Sequence, residues 1–248
     1  MQFSRSTYFV FVVVVTVMVL SVTVFKAGKG STHVQQKVRL PSGESYQDRT
    51  DRYPVVEAEE SEPTDPVKKT KLKKQKQRYD KDAPFTNPGP NDEELAFRPE
   101  SQFNFPALPV IKSDAIVVGQ VLNAEAHRST NKMNVFSNFE VRVDEVLKGH
   151  LNTGNVINIQ RVGGFVKYPN RRKVLFRLSG NGMPAVGARY VFFLNVVDED
   201  YTILTAYEFA GDGVVPLDNS DQFQVYKGVS ESSFITALRN AISQAVPQ

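Results

Sequence analysis

The sequence predicts a mostly β domain over residues 110–248, five or six short strands curled into a small closed barrel with one α-helix at the C-terminus. Three observations predict it. Apolar segments, alternating or continuous, recur from Ser113 to Tyr226 and are separated by turns rich in Gly, Asn and Asp. The first segment carries Gly119 in its middle, and a glycine there marks a bulge or sharp bend that lets one strand serve two sheets. From Ser230 onward the apolar spacing changes to three- and four-residue steps.

Three segments precede this domain: a short tail (residues 1–7), an apolar stretch (8–25) and a Pro-rich charged linker (26–109). Tyr8 to Phe25 is free of charge, and at about 1.5 Å per residue it covers roughly 27 Å, close to the hydrocarbon thickness of a bilayer. A transmembrane anchor is the reading that fits. A secretory signal would have a shorter apolar run and a small-x-small cleavage site, whereas Phe25 stands at the third position before a cut after Ala27. Lys26, Lys29, Lys37 and Arg39 follow the span and only Arg5 precedes it, which leans towards a cytoplasmic C-terminal part. A seven-residue tail before a single apolar segment is, against this, the ordinary start of an exported chain. The expectation is a membrane protein with its C-terminal domain outside the cytoplasm, or a secreted one if the segment is cleaved.

The linker holds ten of the fourteen prolines and few aliphatic residues, too little apolar surface to offset the entropy of ordering it, so disorder is expected from 26 to 109. Its acidic block Glu57 to Asp65 is followed at once by the basic run Lys68 to Arg78. Opposite blocks in a solvated tether attract loosely and commonly do no more. The sharper alternative is a polybasic patch for an anionic surface.

Within the domain, Ser113 to Ser129 opens as a strand with Ile116, Val118 and Leu122 on one face and Val117 and Val121 on the other. Met133 to Val146 follows, with Phe139, Val141 and Val143 opposite Glu140, Arg142 and Asp144. Asn155 to Val162 comes next, pointing Val156 inward together with Ile157 and Ile159, and the Gly163-Gly164 pair closes it. A short strand begins at Lys173. Ala188 to Val197 is apolar on both faces and so should be central, with both faces covered. Asp198-Glu199-Asp200 makes a hairpin turn to Tyr201–Tyr207; Val214 to Leu217 and Gln222 to Tyr226 read as further short strands. The closing helix is capped by Ser230 and places Phe234, Ala237, Leu238, Ala241, Ile242 and Ala245 on one face.

A small OB-like barrel accommodates these elements. The run from "SDAIVVGQV" through "FEVRVDEVLKG", the Gly163-Gly164 pair and "VGARYVFFL" resembles the netrin-like domain, the barrel also found in tissue inhibitors of metalloproteinases, and especially its cysteine-free bacterial relatives that follow an export signal. The resemblance spans about residues 111–245. It implies that Val146-Leu147-Lys148-Gly149 is where a long barrel strand turns towards the next. It does not imply protease inhibition, which in the animal relatives uses an N-terminal cysteine, and this chain has no cysteine.

The inventory for chemistry is thin. His33, His127 and His150 stand apart from one another and from carboxylates at metal-ligand spacing, and surface positions are expected for them. No Gly-x-Ser-x-Gly elbow and no phosphate-binding loop occurs. Asp198-Glu199-Asp200 and Asp218-Asn219-Ser220-Asp221 lack the ligand spacing of a calcium loop and suit polar turns. Phe165, Tyr168, Phe176, Tyr207 and Phe223, interleaved with Arg161, Lys167, Arg171, Arg172, Lys173 and Arg177, would serve either as core with a solvated loop or as a base-stacking surface. Residues 110–248 carry 14 Lys and Arg against 13 Asp and Glu, a balance that argues against a phosphate-gripping groove. The expectation is therefore a non-enzymatic binding module without cofactor, metal or catalytic residues, with a protein or envelope-polymer partner. The alternative is a cytoplasm-facing nucleic-acid binder that uses Lys68 to Arg78.

Overall fold

Alternation along Ala115–Arg128 (β3) and Val135–Lys148 (β4) sorts their side chains onto two faces, and the two strands pair antiparallel over their lengths. The structure, a computed structural model, describes residues 51–85, the backbone of 94–96, and residues 105–211 and 213–245. All of these belong to one unit, Arg39–Gln248. The apolar segment Tyr8–Phe25 and His33 lie outside the described residues, among which no helix is long and apolar enough to cross a membrane.

The chain is mostly β. β4 pairs with Val156–Val162 (β5), and β3 pairs on its other edge with Arg189–Val197 (β8). β8 in turn pairs antiparallel with Asp200–Ala210 (β9). β9 meets β5 in parallel through Ile159 with Tyr201 and Gln160 with Thr202, so that five strands follow one another in a ring. Gly213–Pro216 (β10) adds to the edge of β9.

Gly119 sits where the bulge was expected, at a register shift between Val118 and Gly119. A Cβ there would stand 2.6 Å from Val141 Cγ1 and 2.7 Å from the Arg142 carbonyl oxygen, distances no relaxed structure tolerates. Gly119→Ala is therefore expected to lower stability by about 1–3 kcal/mol, the range for overpacking, as read by urea unfolding. Another shift, between Val121 and Asn123, leaves Leu122 out of the ladder and 42% exposed, so Leu122 does not join Ile116 and Val118.

Inside the ring lie Val117, Val121, Phe139, Val141, Ile159 and Phe192, with Tyr190 and Leu194. In β5 it is Ile157 and Ile159 that face this core, and Val156 is exposed. The other face of β3 and β8, with Ile116, Val118, Val191 and Phe193, is covered by the C-terminal helix Glu231–Ala245 (α2) through Phe234 and Leu238. Each of those two fully buried side chains is worth about 1.5–3 kcal/mol of transfer free energy. Ser230 Oγ accepts from the Ser233 N–H at 3.3 Å, the cap expected from the sequence. The segment read as a strand at Gln222–Tyr226 is instead a 3-10 helix, Asp221–Tyr226, which seats Phe223 against the same outer core.

The Val-Leu-Lys-Gly step ends β4. Lys148 Nζ donates to the carbonyls of Val110 (2.9 Å) and Ser113 (2.6 Å), tying the strand end to the chain entering β3. Gly149 then turns with φ +100°, a conformation an L side chain resists.

The largest departure from expectation is a second sheet and a helix drawn from the supposed linker. Val55–Glu57 (β1) pairs in parallel with Gly164–Lys167 (β6), which pairs with Lys173–Arg177 (β7), which pairs in parallel with Glu94–Ala96 (β2). Gly163 and Gly164 do not simply close β5. With φ of +114° and +141° they swing the chain out of the ring and into this four-stranded sheet. Val56 and Phe85 bury against Val166, Val174 and Phe176 between the sheets. The disorder expected across 26–109 is thus corrected over 51–85, because this segment finds its apolar partners in the domain rather than in itself.

Candidate functional site

The basic run is an α-helix, Pro66–Tyr79 (α1). Asp65 starts it, its carboxylate accepting from the N–H groups of Val67 (2.8 Å) and Lys68 (3.1 Å), and Pro66 takes the first helical position, where no N–H is needed. Leu72, Gln75 and Tyr79, three to four residues apart, form one stripe, and these are the residues it buries. Tyr79 stacks on Phe136 of β4 with ring centroids 4.3 Å apart and planes 14° from parallel. Burial pushes its phenol up to about 12, so it stays a neutral donor, and it reaches Gln160 Oε1 at 3.3 Å.

Polar pairs complete the docking. Asp200, buried at the start of β9, receives Gln75 Nε2 (3.1 Å), Arg78 Nη2 (3.2 Å) and Lys71 Nζ (3.3 Å). Arg78 also donates to Gln160 Oε1 and, at 2.8 Å, to the Val197 carbonyl. At the other side Glu60 joins Lys76 Nζ (2.8 Å) and His127 Nδ1 (2.7 Å). Four of the seven cations between Lys68 and Arg78 are held in this way, counting Lys69 with Glu62; among the described residues Lys68, Lys73 and Lys74 hold no carboxylate.

Burial works to raise the Glu60 carboxyl, but the hydrogen bonds from His127 and Lys76 outweigh it and hold the group below its ordinary 4.5. A depressed carboxyl contributes stability that is present above the unfolded value and lost as pH falls through the folded one. The stability gap between wild type and Glu60→Gln is accordingly expected to be full at about pH 7 and to close on acidification below about pH 4.5, followed by urea unfolding.

Between α1 and the outward face of β3, β4 and β5 lies a cleft of about 190 Å³. Its floor is set by strand register. Asn123, Glu140 and Asn158 stand side by side across the three strands, and Glu125, Asn138 and Gln160 form the next row. Its wall is the helix, with Lys68, Lys71, Leu72 and Gln75. The side chains of Asn123, Glu140 and Asn158 engage no partner among the described residues, and Lys68 makes no side-chain hydrogen bond or ion pair there, only an electrostatic attraction to exposed Asp65, whereas Asn138 is held by Gln75 and Gln160.

The structure distributes the sequence candidates differently from expectation. His150 is exposed, but His127 is buried, packed near Phe136 and bonded to Glu60. Asp198 and Glu199, with φ of +49° and +72°, form the hairpin turn; Asp200 does not belong to it and anchors α1 instead. Asp218 is no surface turn residue. It is buried with Arg161, which the alternation of β5 points into the ring beside Ile159. Burial raises the Asp218 carboxyl, while Arg161 and the Gly182 N–H pull it back. Tyr207 and Phe223 lie under α2 and Phe176 lies between the sheets, so these rings offer no stacking face. Lys167 pairs with Glu57 at 2.6 Å, and Arg171 is exposed. Among the described residues no group of three or more His, Asp and Glu is disposed to hold a metal ion. The cleft itself was missed, since its wall comes from the segment read as a tether. No protein-family model matches this chain, and no curated protein matches it either.

Proposed function

We propose that this chain is a membrane-tethered, extracytoplasmic binding module with no reaction of its own, built on a closed OB-type barrel of the netrin-like kind. The ring order, with β5 and β9 parallel where it joins, supports the OB assignment. The apolar segment Tyr8–Phe25 supports the tether.

The observation that carries the binding reading is the cleft. Free hydrogen-bonding groups from a helix and three strands converge on it, held on elements that are themselves pinned by packing. At about 190 Å³ it is smaller than a site that engulfs a metabolite, and fits one protruding segment of a larger protein or envelope-polymer partner. The alternative, a cytoplasm-facing nucleic-acid binder, draws on Lys68, Lys73 and Lys74 alone once the other cations of the run are spent on carboxylates.

Two measurements on the full-length chain test this reading. Protease treatment of intact cells should remove the C-terminal domain without lysis; survival until lysis would place the domain inside. The detergent-solubilised chain should pass through a single-stranded DNA column at low salt. Retention that falls steeply as salt rises would favour the nucleic-acid alternative.

A further inference from the structure

We infer that the cleft takes a peptide segment carrying one free carboxylate and one free ammonium, with Lys68 receiving the first and Glu140 the second. The inference rests on the binding-module reading and names its ligand class. Charge is divided across the cleft: its cations, Lys68 and Lys71, come from the helix wall, and its anions, Glu125 and Glu140, from the strand floor. Lys71 is already engaged by Asp200, and Glu125 lies 4.0 Å from His127 Nε2. Lys68, whose ammonium feels exposed Asp65 but makes no ion pair or hydrogen bond among the described residues, and Glu140 remain as the pair of opposite sign open to a ligand.

A polyanion would bring its charges against two carboxylates on the floor, and a neutral glycan would leave both signs unanswered while finding no exposed aromatic ring in the lining. A zwitterionic segment answers both. Asn123 and Asn158 flank Glu140 on neighbouring strands, about 4.8 Å to either side. Each offers an amide carbonyl and an amide N–H₂, the complement of a peptide group's own N–H and C=O.

The test uses trialanine with free ends, its N-acetylated and C-amidated forms, an uncharged disaccharide and inorganic polyphosphate, titrated calorimetrically into the full-length chain in nanodiscs. Trialanine should bind with a dissociation constant on the order of 1 mM. Capping either end should weaken it about two- to fivefold, the worth of an exposed charge pair. Glu140→Gln should cost the same factor for free trialanine and nothing for the acetylated form; Lys68→Gln should do so for the amidated form. Neither side chain makes an ion pair or hydrogen bond among the described residues, and the attraction of Lys68 to Asp65 is exposed and weak, so the unfolding midpoint of each variant should match wild type, and a shifted midpoint would show that the residue serves the fold instead. Equal binding of capped and free peptides overturns the inference. Binding of the disaccharide or polyphosphate in place of trialanine, lost in Asn158→Ala, overturns the ligand class and leaves the binding module standing. Silence of every probe overturns both.

Discussion

Tyr79→Ala is expected to lower the unfolding free energy by about 3–5 kcal/mol, the loss typical of a large buried ring, measured by urea or guanidinium denaturation. Tyr79 is 5% exposed, and its ring lies flat on Phe136, which is itself fully buried. Removing it opens a cavity between α1 and β4, and leaves Gln160 Oε1 with Arg78 as its remaining partner from the helix. A residue in a solvated tether would change stability by less than about 0.5 kcal/mol. The two outcomes are far enough apart that one denaturation curve decides between them.

Asp218→Ala is expected to cost a similar amount, about 3–5 kcal/mol, because it strands the Arg161 guanidinium inside the ring. That guanidinium is already imperfectly satisfied, with Nε and Nη1 buried and without a hydrogen-bond partner among the described residues. Asp218 also accepts the Gly182 N–H at 3.0 Å, which would lose its partner in the same step. Replacing the pair together, Arg161→Met with Asp218→Leu, should recover the share of the loss that the stranded guanidinium causes, since an apolar pair of similar volume carries no desolvation cost, while the Gly182 N–H stays without its acceptor. If the double variant is no more stable than Asp218→Ala, the damage comes from lost packing and the Gly182 N–H and not from an orphaned charge.

How much of this was legible in the sequence follows from what holds each element. β3, β4, β8 and α2 are held by apolar faces, and their alternation or three-to-four spacing announces them; Val117 and Ile116 fall into different cores as their faces predict, and β8, read as covered on both faces, sends Phe192 into one core and Phe193 into the other. β1 and β2 are three residues each, too short for any period to show, and they exist because β6 and β7 offer them edges. α1 hides for a different reason. It docks through Gln75, Arg78 and Tyr79 onto Asp200, Gln160 and Phe136, with Leu72 the one aliphatic in its buried stripe, so an apolar pattern had nothing to report. One signal was present: Asp65 followed by Pro66, the start of a helix written in the accepted residues.

The site was illegible for the same reason. Glu140 and Asn158 read as the outward face of ordinary strands, and Lys68 as one charge in a run. They become neighbours once α1 lies across β3, β4 and β5. The buried Arg161 and Asp218 read as surface cation and turn acid because sequence spacing gives no hint that residues 57 positions apart share one hydrogen bond.

The cleft and every functional statement about it require α1 to be a docked helix in the working protein. Amide hydrogen exchange of the full-length chain in a bilayer measures this directly. The account predicts that the amides of Thr70 to Tyr79 exchange orders of magnitude more slowly than an unstructured peptide, with Leu72 and Gln75 among them, and that Tyr79→Ala accelerates the whole segment. Exchange of these amides at the unstructured rate in the wild-type chain would contradict it: the basic run would be a tether, and the cleft would have no wall.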